Sequence, residues 1–396
     1  MSTTPVVARS IPAVLTNVDP SLRQAWHPVG RVEDLGDGPT KVTLLGEDWV
    51  VVRLDGELTA YLDLCPHRLA PLSAGHVDTV GGSEVLRCGY HGWCFEASGT
   101  CAEIPALGPG AKLPPRSKAT SPAGVTEHLG LVWLAPEEPI TPLPDPPIAA
   151  EEQDRFQTGH LPVLHARGGA GLLIDNFLDV AHFPFVHAAT IGVEDATEIG
   201  EVELERDGLS LTMRSAQRFP HREDPGVADG TRPLLQTRHA RYRYTAPFAA
   251  WLRMDYEEAG GCNVITFFLQ PVDADHVTLY ASVHRDDLDG DEVRLAEAVA
   301  FEHAVTAEDL VIQEAYVQRS IPLDLTTEVH VKADRMTVEL RRILKDFVAQ
   351  ATLIAPPAAG PAAEGAADTG TLPAESSSDE PAADGSLHPE GAAASA

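Results

Sequence analysis

Two short pairs of cysteine and histidine in the first quarter of the chain could hold a metal. Cys65 and His67 form the first pair, and Cys88 and His91 follow after twenty intervening residues. Two thiolates and two imidazoles are a complete four-ligand set, so a structural zinc site is one interpretation. The same set also binds a [2Fe–2S] cluster, with the cysteines on one iron and the histidines on the other. The ligand types alone leave both possibilities open.

A second group of candidates lies in the stretch "DNFLDVAHFPFVH", residues 175–187. His182 and His187 are five residues apart, and Asn176 and Asp179 precede His182 at intervals of three. On a helix this interval puts Asn176, Asp179 and His182 on one face. Two histidines and a carboxylate with open positions form the facial triad of non-haem Fe(II) oxygenases. Two histidines on an apolar helix are more often core residues, so this stretch alone favours packing.

A third ligand for such a triad would have to be a carboxylate from another part of the chain. The helical pattern over residues 290–320 offers four: Glu302, Glu308, Asp309 and Glu314. Apolar residues at helical spacing surround both Glu308 and Asp309. Periodicity therefore does not decide between them.

The elements that must position these residues differ between the two halves of the chain. Short apolar runs separated by turns, from Trp26 to Pro136, predict a small all-β domain. A helix is predicted over 171–182, ended by Pro184, and is followed by alternating segments that predict antiparallel strands. The predicted long helix over 290–320 then makes the second half an α+β domain with this helix packed on the sheet.

Composition limits the classes of partner. The 396 residues include 29 Lys and Arg against 59 Asp and Glu, a net charge of -30. This balance argues against binding to nucleic acid or to an anionic membrane surface. No apolar run has the length of a bilayer span or the form of a signal peptide, so we expect a cytoplasmic protein. The last residues, from 353, are rich in Ala, Pro, Gly and acids, and predict a disordered tail.

The two cysteine–histidine loops resemble a known family. "CPHRLAPLSAG" and "CGYHGW" are similar to the ligand loops of the Rieske domain in ring-hydroxylating oxygenases and oxidative demethylases. The spacer between the loops is longer than is usual in the family. The resemblance implies a [2Fe–2S] cluster with Cys65 and Cys88 on one iron and His67 and His91 on the other.

The second group resembles the same family almost residue for residue. This implies a mononuclear non-haem Fe(II) bound by His182 and His187. The segment "EDLVIQEAY" is similar to the family's segment in which the aspartate is the third ligand, which favours Asp309 and leaves Glu308 as the alternative. By the same resemblance, Asp179 would bridge His182 and a Rieske histidine of a neighbouring subunit, which implies a head-to-tail homotrimer. Asn176 would line the iron pocket without binding the metal.

The resemblance also implies a function. The chain would be a terminal oxygenase that uses O2, and electrons from NAD(P)H delivered by a separate reductase or ferredoxin, to oxidise a small organic, aromatic substrate. Its length resembles the homotrimeric demethylase and monooxygenase group, which favours hydroxylation or oxidative dealkylation over cis-dihydroxylation. A basic run of Lys112, Arg116 and Lys118 is either a solvated loop or a docking site for an acidic ferredoxin.

Two other classes of protein remain as alternatives. One is a Rieske electron carrier without oxygenase chemistry, and the other is a zinc-stabilised binding protein. The expected fold class is α+β, with an all-β Rieske domain before a helix-grip catalytic domain. The expected segments are an N-terminal arm (1–22), the Rieske domain (23–138), a linker (139–155), the catalytic domain (156–352) and the disordered acidic tail (353–396).

Overall fold

The structure is a computed structural model, and it describes residues 11–187, 190, 198–222 and 224–354. Tight turns join the short strands at its beginning. Leu45 with Gly46, and Asp55 with Gly56, have positive φ angles, which is the geometry of two-residue hairpin turns. The strands of this half are β1 (Val14–Leu15), β2 (His27–Arg31), β3 (Thr40–Leu44), β4 (Glu47–Leu54), β5 (Glu57–Leu62), β6 (His76–Val80), β7 (Ser83–Arg87), β8 (Cys94–Phe95), β9 (Cys101–Glu103), β10 (Gly124–His128) and β11 (Leu131–Ala135).

Antiparallel sheets built from these strands present the two cysteine–histidine loops side by side. The sheets have the orders β3-β4-β5, β6-β7-β8-β9 and β10-β11-β2. One loop follows β5 and the other follows β7, and their backbones approach closely at two glycines. A Cβ on Gly89 would lie 2.6 Å from the Ala74 carbonyl oxygen, and one on Gly75 would lie 2.1 Å from that of Arg87. Only glycine therefore fits where the loops meet.

One large antiparallel sheet forms the second half, in the order β12-β19-β18-β17-β16-β15-β14, with β13 also paired to β19. Its elements are β12 (Gln157–His160), β13 (Leu164–Arg167), α1 (Ala170–Leu178), α2 (Phe183–Val186), β14 (Glu203–Asp207), β15 (Ser210–Pro220), α3 (Pro225–Ala228), β16 (Leu235–Thr245), β17 (Ala249–Tyr256), β18 (Cys262–Pro271), β19 (His276–Arg285), α4 (Glu292–Ala315), β20 (Ile321–Pro322) and α5 (Arg335–Ile354).

The helices cover one face of this sheet. α4 packs on β12, β13 and β19, α1 packs on β18, and α5 packs on β15. A Cβ on Gly159 would lie 2.4 Å from Val299 Cγ2, so β12 and α4 are in close contact. The predicted α+β architecture, with a long helix on an antiparallel sheet, is confirmed.

The predicted helix over 171–182 is wrong in its second part. α1 ends at Leu178, because Asp179 is extended (φ -85°, ψ 127°) and its carboxylate accepts the Ala181 N–H at 2.8 Å. Pro184 lies in the first turn of α2, where its missing N–H costs no hydrogen bond. His182 therefore lies in the turn between two helices and not on one face with Asn176.

A second departure concerns the end of the described chain. We did not predict α5, which buries Leu340, Ile343 and Phe347 at helical spacing in the main core. This helix continues to Ile354 and so includes the first two residues of the expected tail. Residues 1–10 of the expected arm, and the tail from residue 355, lie outside the described residues. Across the described part of the chain, no helix combines the length and apolar composition needed to cross a membrane.

Candidate metal centres

Two histidines and one aspartate converge from separate elements. His182 precedes α2, His187 follows it, and Asp309 comes from α4. His182 Nε2 and His187 Nε2 are 3.1 Å apart, and Asp309 Oδ1 lies 3.4 Å and 3.1 Å from them respectively. Ligands about 2.1 Å from an ion and at right angles to one another would be about 3.0 Å apart. The three atoms thus fit one face of a six-coordinate metal.

Further carboxylates hold the outer nitrogens of both imidazoles. Asp179 Oδ2 lies 3.3 Å from His182 Nδ1, and Glu308 Oε2 lies 2.8 Å from His187 Nδ1. The Thr190 hydroxyl donates to the same Glu308 oxygen at 2.9 Å. Such contacts fix the tautomer and the ring orientation, and leave Nε2 free to face the metal. Glu308, the alternative third ligand, therefore lies on the far side of His187 from the converging atoms.

Electrostatics in this cluster favour positive charge. Burial opposes protonation of His182, but its hydrogen bonds to Asp179 and Asp309 outweigh burial and raise the pKa of His182 to about 9. Burial would raise the pKa of Asp309, yet the two imidazoles lower it. Asn176 donates to Asp309 Oδ1 at 3.2 Å and lines the same space. A pocket that stabilises imidazolium without metal will also attract a divalent cation.

A buried ion pair anchors the helix that leads into this cluster. Arg341 of α5 donates to both oxygens of Asp175, at 2.6 and 2.9 Å, and also to Glu328 at 2.7 Å. Burial raises the pKa of Asp175, and the Arg341 guanidinium opposes this shift. Bidentate geometry restricts orientation as well as distance. Arg341 thereby fixes the last turns of α1 and the position of Asp179 just beyond it.

The cysteine–histidine loops bring their side chains together in two pairs. Cys65 and Cys88 are both buried, and their thiols are within hydrogen-bonding distance. The rings of His67 and His91 lie 4.5 Å apart at 68°, and Trp93 stacks on His67 at 4.6 Å. His67 Nδ1 is buried and has no hydrogen-bond partner. Two paired thiols and two paired imidazoles, one with an unused nitrogen, match the ligand types of a cluster held by mixed ligands.

An apolar cavity of about 240 Å³ opens onto the histidine–aspartate cluster. Its apolar lining comes from α1, α2, α4 and the inward-facing residues of β17 and β18, namely Phe177, Phe183, Leu252, Met254, Ile265, Phe267, Phe301 and Val305. The volume suits a small organic molecule.

Some of the cavity wall was not assigned from sequence. The cavity is also lined by Pro220, the last residue of β15, and by His221 and Arg222 at the start of the polar segment between β15 and β16. His221 stacks on Tyr256 with ring centroids 4.2 Å apart, and Asp224 anchors the segment by accepting from Arg232 and Gln236. The Gly and Pro residues of this segment are typical of a loop, but their spacing does not show that the loop reaches the cavity.

Comparison with known proteins identifies the chain. The Rieske [2Fe-2S] domain model matches residues 25–118, and the model of the vanillate O-demethylase oxygenase C-terminal domain matches residues 167–350. The chain belongs to the Rieske non-haem iron oxygenases. Members of this family carry a [2Fe–2S] cluster and a mononuclear iron. This chain is accordingly an oxidoreductase, the terminal oxygenase component that receives electrons from a separate reductase or ferredoxin.

Several relatives of this Rieske oxygenase are demethylases. Methylxanthine N3-demethylase NdmB of Pseudomonas putida is 29% identical over 334 residues, covering 82% of this chain and 89% of the relative. The dicamba O-demethylase oxygenase component of Stenotrophomonas maltophilia is 35% identical over 238 residues, covering 58% and 63%. The solved structure of NdmB superposes with a TM-score of 0.70 at 25% identity and covers 84% of this chain and 96% of that one.

Proposed function

We propose that this Rieske oxygenase removes an O- or N-methyl group from a small aromatic or heteroaromatic substrate. The observation that carries the proposal is the convergence of His182, His187 and Asp309 at an apolar cavity. Relatives named as N- and O-demethylases support dealkylation as the outcome.

We assign the ligands as follows. Cys65, Cys88, His67 and His91 would hold the [2Fe–2S] cluster, which supplies electrons one at a time. His182, His187 and Asp309 would hold the mononuclear iron, where O2 is activated for insertion into a C–H bond. Asp179 and Glu308 would keep Nε2 of each histidine directed at the metal. Asn176, through its bond to Asp309, would orient that carboxylate.

The cavity walls have a separate role. Aromatic and aliphatic side chains line much of the space beside the histidine–aspartate cluster and would limit the water there once a substrate is bound. They would bind the substrate ring by burying its apolar surface and hold one methyl group next to the cluster. Positioning of this kind selects which C–H bond is oxidised.

We further propose a head-to-tail homotrimer. Around the cysteine–histidine loops, Tyr90 is 66% exposed and Leu69 equally so, while Phe185 beside the other centre is 72% exposed. Exposed apolar surface at two different places suits a heterologous contact that closes into a ring. Asp179, whose side chain is 34% exposed, would then lie at the contact between one subunit's loops and the next subunit's iron site.

The trimer can be tested on its apolar surface. Phe185→Asp should shift the protein from trimer to monomer in size-exclusion chromatography with light scattering. Val293→Asp, an equally exposed change at the start of α4 and sixteen residues from Asp309, should leave the trimer intact. A wild-type monomer would contradict the proposal.

Lys112, Arg116 and Lys118 are all exposed, and we propose that they dock an acidic ferredoxin. Replacing all three with Ala should slow reduction by ferredoxin at low salt, where steering is strongest. Lys332→Ala, an exposed change in the other half of the chain, is the control. An unchanged reduction rate in the triple variant would remove this assignment.

Apart from the start of the tail, which α5 moves beyond Ile354, the segment boundaries of the sequence analysis stay proposals, as do a cytoplasmic location and a role in aromatic catabolism. All five cysteines are unpaired thiols, which supports a reducing compartment.

Turnover provides the test of the proposed function. The holoenzyme with a reductase should consume O2 and release formaldehyde from aryl methyl ethers or N-methyl heteroaromatics. His182→Ala should keep the cluster spectrum and release none. Formaldehyde release by the variant, or a cis-diol product from the wild type, would contradict the proposal.

A further inference from the structure

We infer that Asn263 recognises the substrate by accepting a hydrogen bond from an N–H or O–H group on its ring. This inference rests on the proposed function and names the class of substrate. Asn263 begins the inward-facing residues of β18 and lines the cavity that holds the histidine–aspartate cluster. Its side chain is 5% exposed, and Oδ1 is buried with no hydrogen-bond partner.

A second buried amide on the same strand provides the comparison. Gln270 is also 5% exposed, but it donates to the Thr43 carbonyl and accepts from the Tyr280 hydroxyl, both at 2.7 Å. A buried acceptor without a donor destabilises the fold. On β18, therefore, the amide away from the cavity is satisfied and the amide at the cavity is not. Residues that weaken a fold in this way are typical of binding sites.

The surroundings of Asn263 indicate which ligand chemistry fits. Met254 is its cross-strand partner on β17, and Ile265 is the next inward-facing residue on β18. The buried Arg238 guanidinium donates to Met254 Sδ at 3.5 Å and lines the same cavity, so a cationic donor would be repelled there and a neutral donor is favoured. Rotation of the amide would exchange the positions of Oδ1 and Nδ2 and present Oδ1 to a ring N–H or a phenolic O–H in the cavity. Substrates without such a donor leave the acceptor unpaired and bind less tightly.

Thermal unfolding of the substrate-free holoenzyme tests whether the amide is unsatisfied. Asn263→Leu removes the acceptor at similar volume and should raise Tm by about 2–4 °C. Gln270→Leu, the matched control, should lower Tm because it leaves the Tyr280 hydroxyl without its acceptor. A fall in Tm for Asn263→Leu would mean that the amide has a structural role, and would overturn the inference.

Binding of two matched probe pairs tests recognition. Theobromine carries a ring N–H that is methylated in caffeine, and vanillate carries a phenolic O–H that is methylated in 3,4-dimethoxybenzoate. Isothermal titration of the holoenzyme should give at least a tenfold tighter Kd for the donor member of one pair, and Asn263→Leu should abolish that difference. The inference would be overturned if the wild type showed no preference in either pair, which includes the case that no probe binds. It would also be overturned if Asn263→Leu kept the preference. Formaldehyde release from the same probes is scored separately, so a failure of the proposed function remains distinguishable.

Discussion

Substitutions at Glu308 test whether this residue binds the iron itself or only orients His187, which binds it. Its carboxylate lies 2.8 Å from His187 Nδ1, and the His187 ring is almost fully buried. A hydrogen bond to a charged group contributes about 1.5–3 kcal/mol, and a neutral one about 0.5–1.5 kcal/mol. Glu308→Gln should therefore cost about 1–1.5 kcal/mol of iron binding, or roughly tenfold in affinity. Glu308→Ala removes the whole bond and should cost roughly 10–100-fold.

Competition with a chelator measures these affinities, with the cluster absorbance as an internal check that the Rieske loops remain folded. Asp309→Ala should lose its mononuclear iron on desalting, because it removes one of three converging atoms. Glu314→Gln, an exposed change on the same helix, should match the wild type. If Glu308→Gln loses iron as completely as Asp309→Ala, Glu308 is a ligand and our account of the triad is refuted; unchanged affinity in Glu308→Ala would equally contradict it.

Two further predictions concern stability. Arg341→Met leaves Asp175 and Glu328 without their buried partner and should lower the free energy of unfolding by about 3–5 kcal/mol. Arg342→Met breaks an exposed ion pair and should change the free energy of unfolding by less than about 1 kcal/mol. Unfolding in urea measures both values. Burial lowers the pKa of His27 to about 4 against 6.5 unfolded, so its contribution is fully present above pH 6.5 and is lost as pH falls toward 4. His27→Phe should therefore flatten the loss of stability between pH 7 and pH 5 by up to about 2 kcal/mol.

Most of the fold could be predicted from local sequence patterns. Turn residues with positive φ, such as Gly46 and Gly56, and alternating strands were sufficient to predict an all-β half and an α+β half. The break in the helix at Asp179 was not predictable in the same way, since it depends on a carboxylate that accepts the Ala181 N–H while also reaching His182. Both contacts are local, two and three residues along the chain, but an aspartate that turns the chain and one that continues the helix show the same helical periodicity.

Residue spacing also predicted only part of the candidate site. Family resemblance selected Asp309 over Glu308, but residue spacing could not distinguish them. Neighbouring residues on a helix point in directions about 100° apart, and only the packing of α4 determines which of the two faces the histidines. Arg341 was not foreseen because its partner Asp175 lies 166 positions away. Asn263 was not foreseen because a single polar residue at the start of an apolar strand is ordinary until its burial and lack of partner are known.

Iron and acid-labile sulfide, measured together on wild type and His182→Ala, show whether a second metal is bound at His182. We expect the wild type to hold one iron beyond the two of its [2Fe–2S] cluster, and the variant to lose only that iron while its reduced Rieske paramagnetic resonance signal is unchanged. Equal iron-to-sulfide ratios in the two proteins would contradict the assignment of the second metal centre.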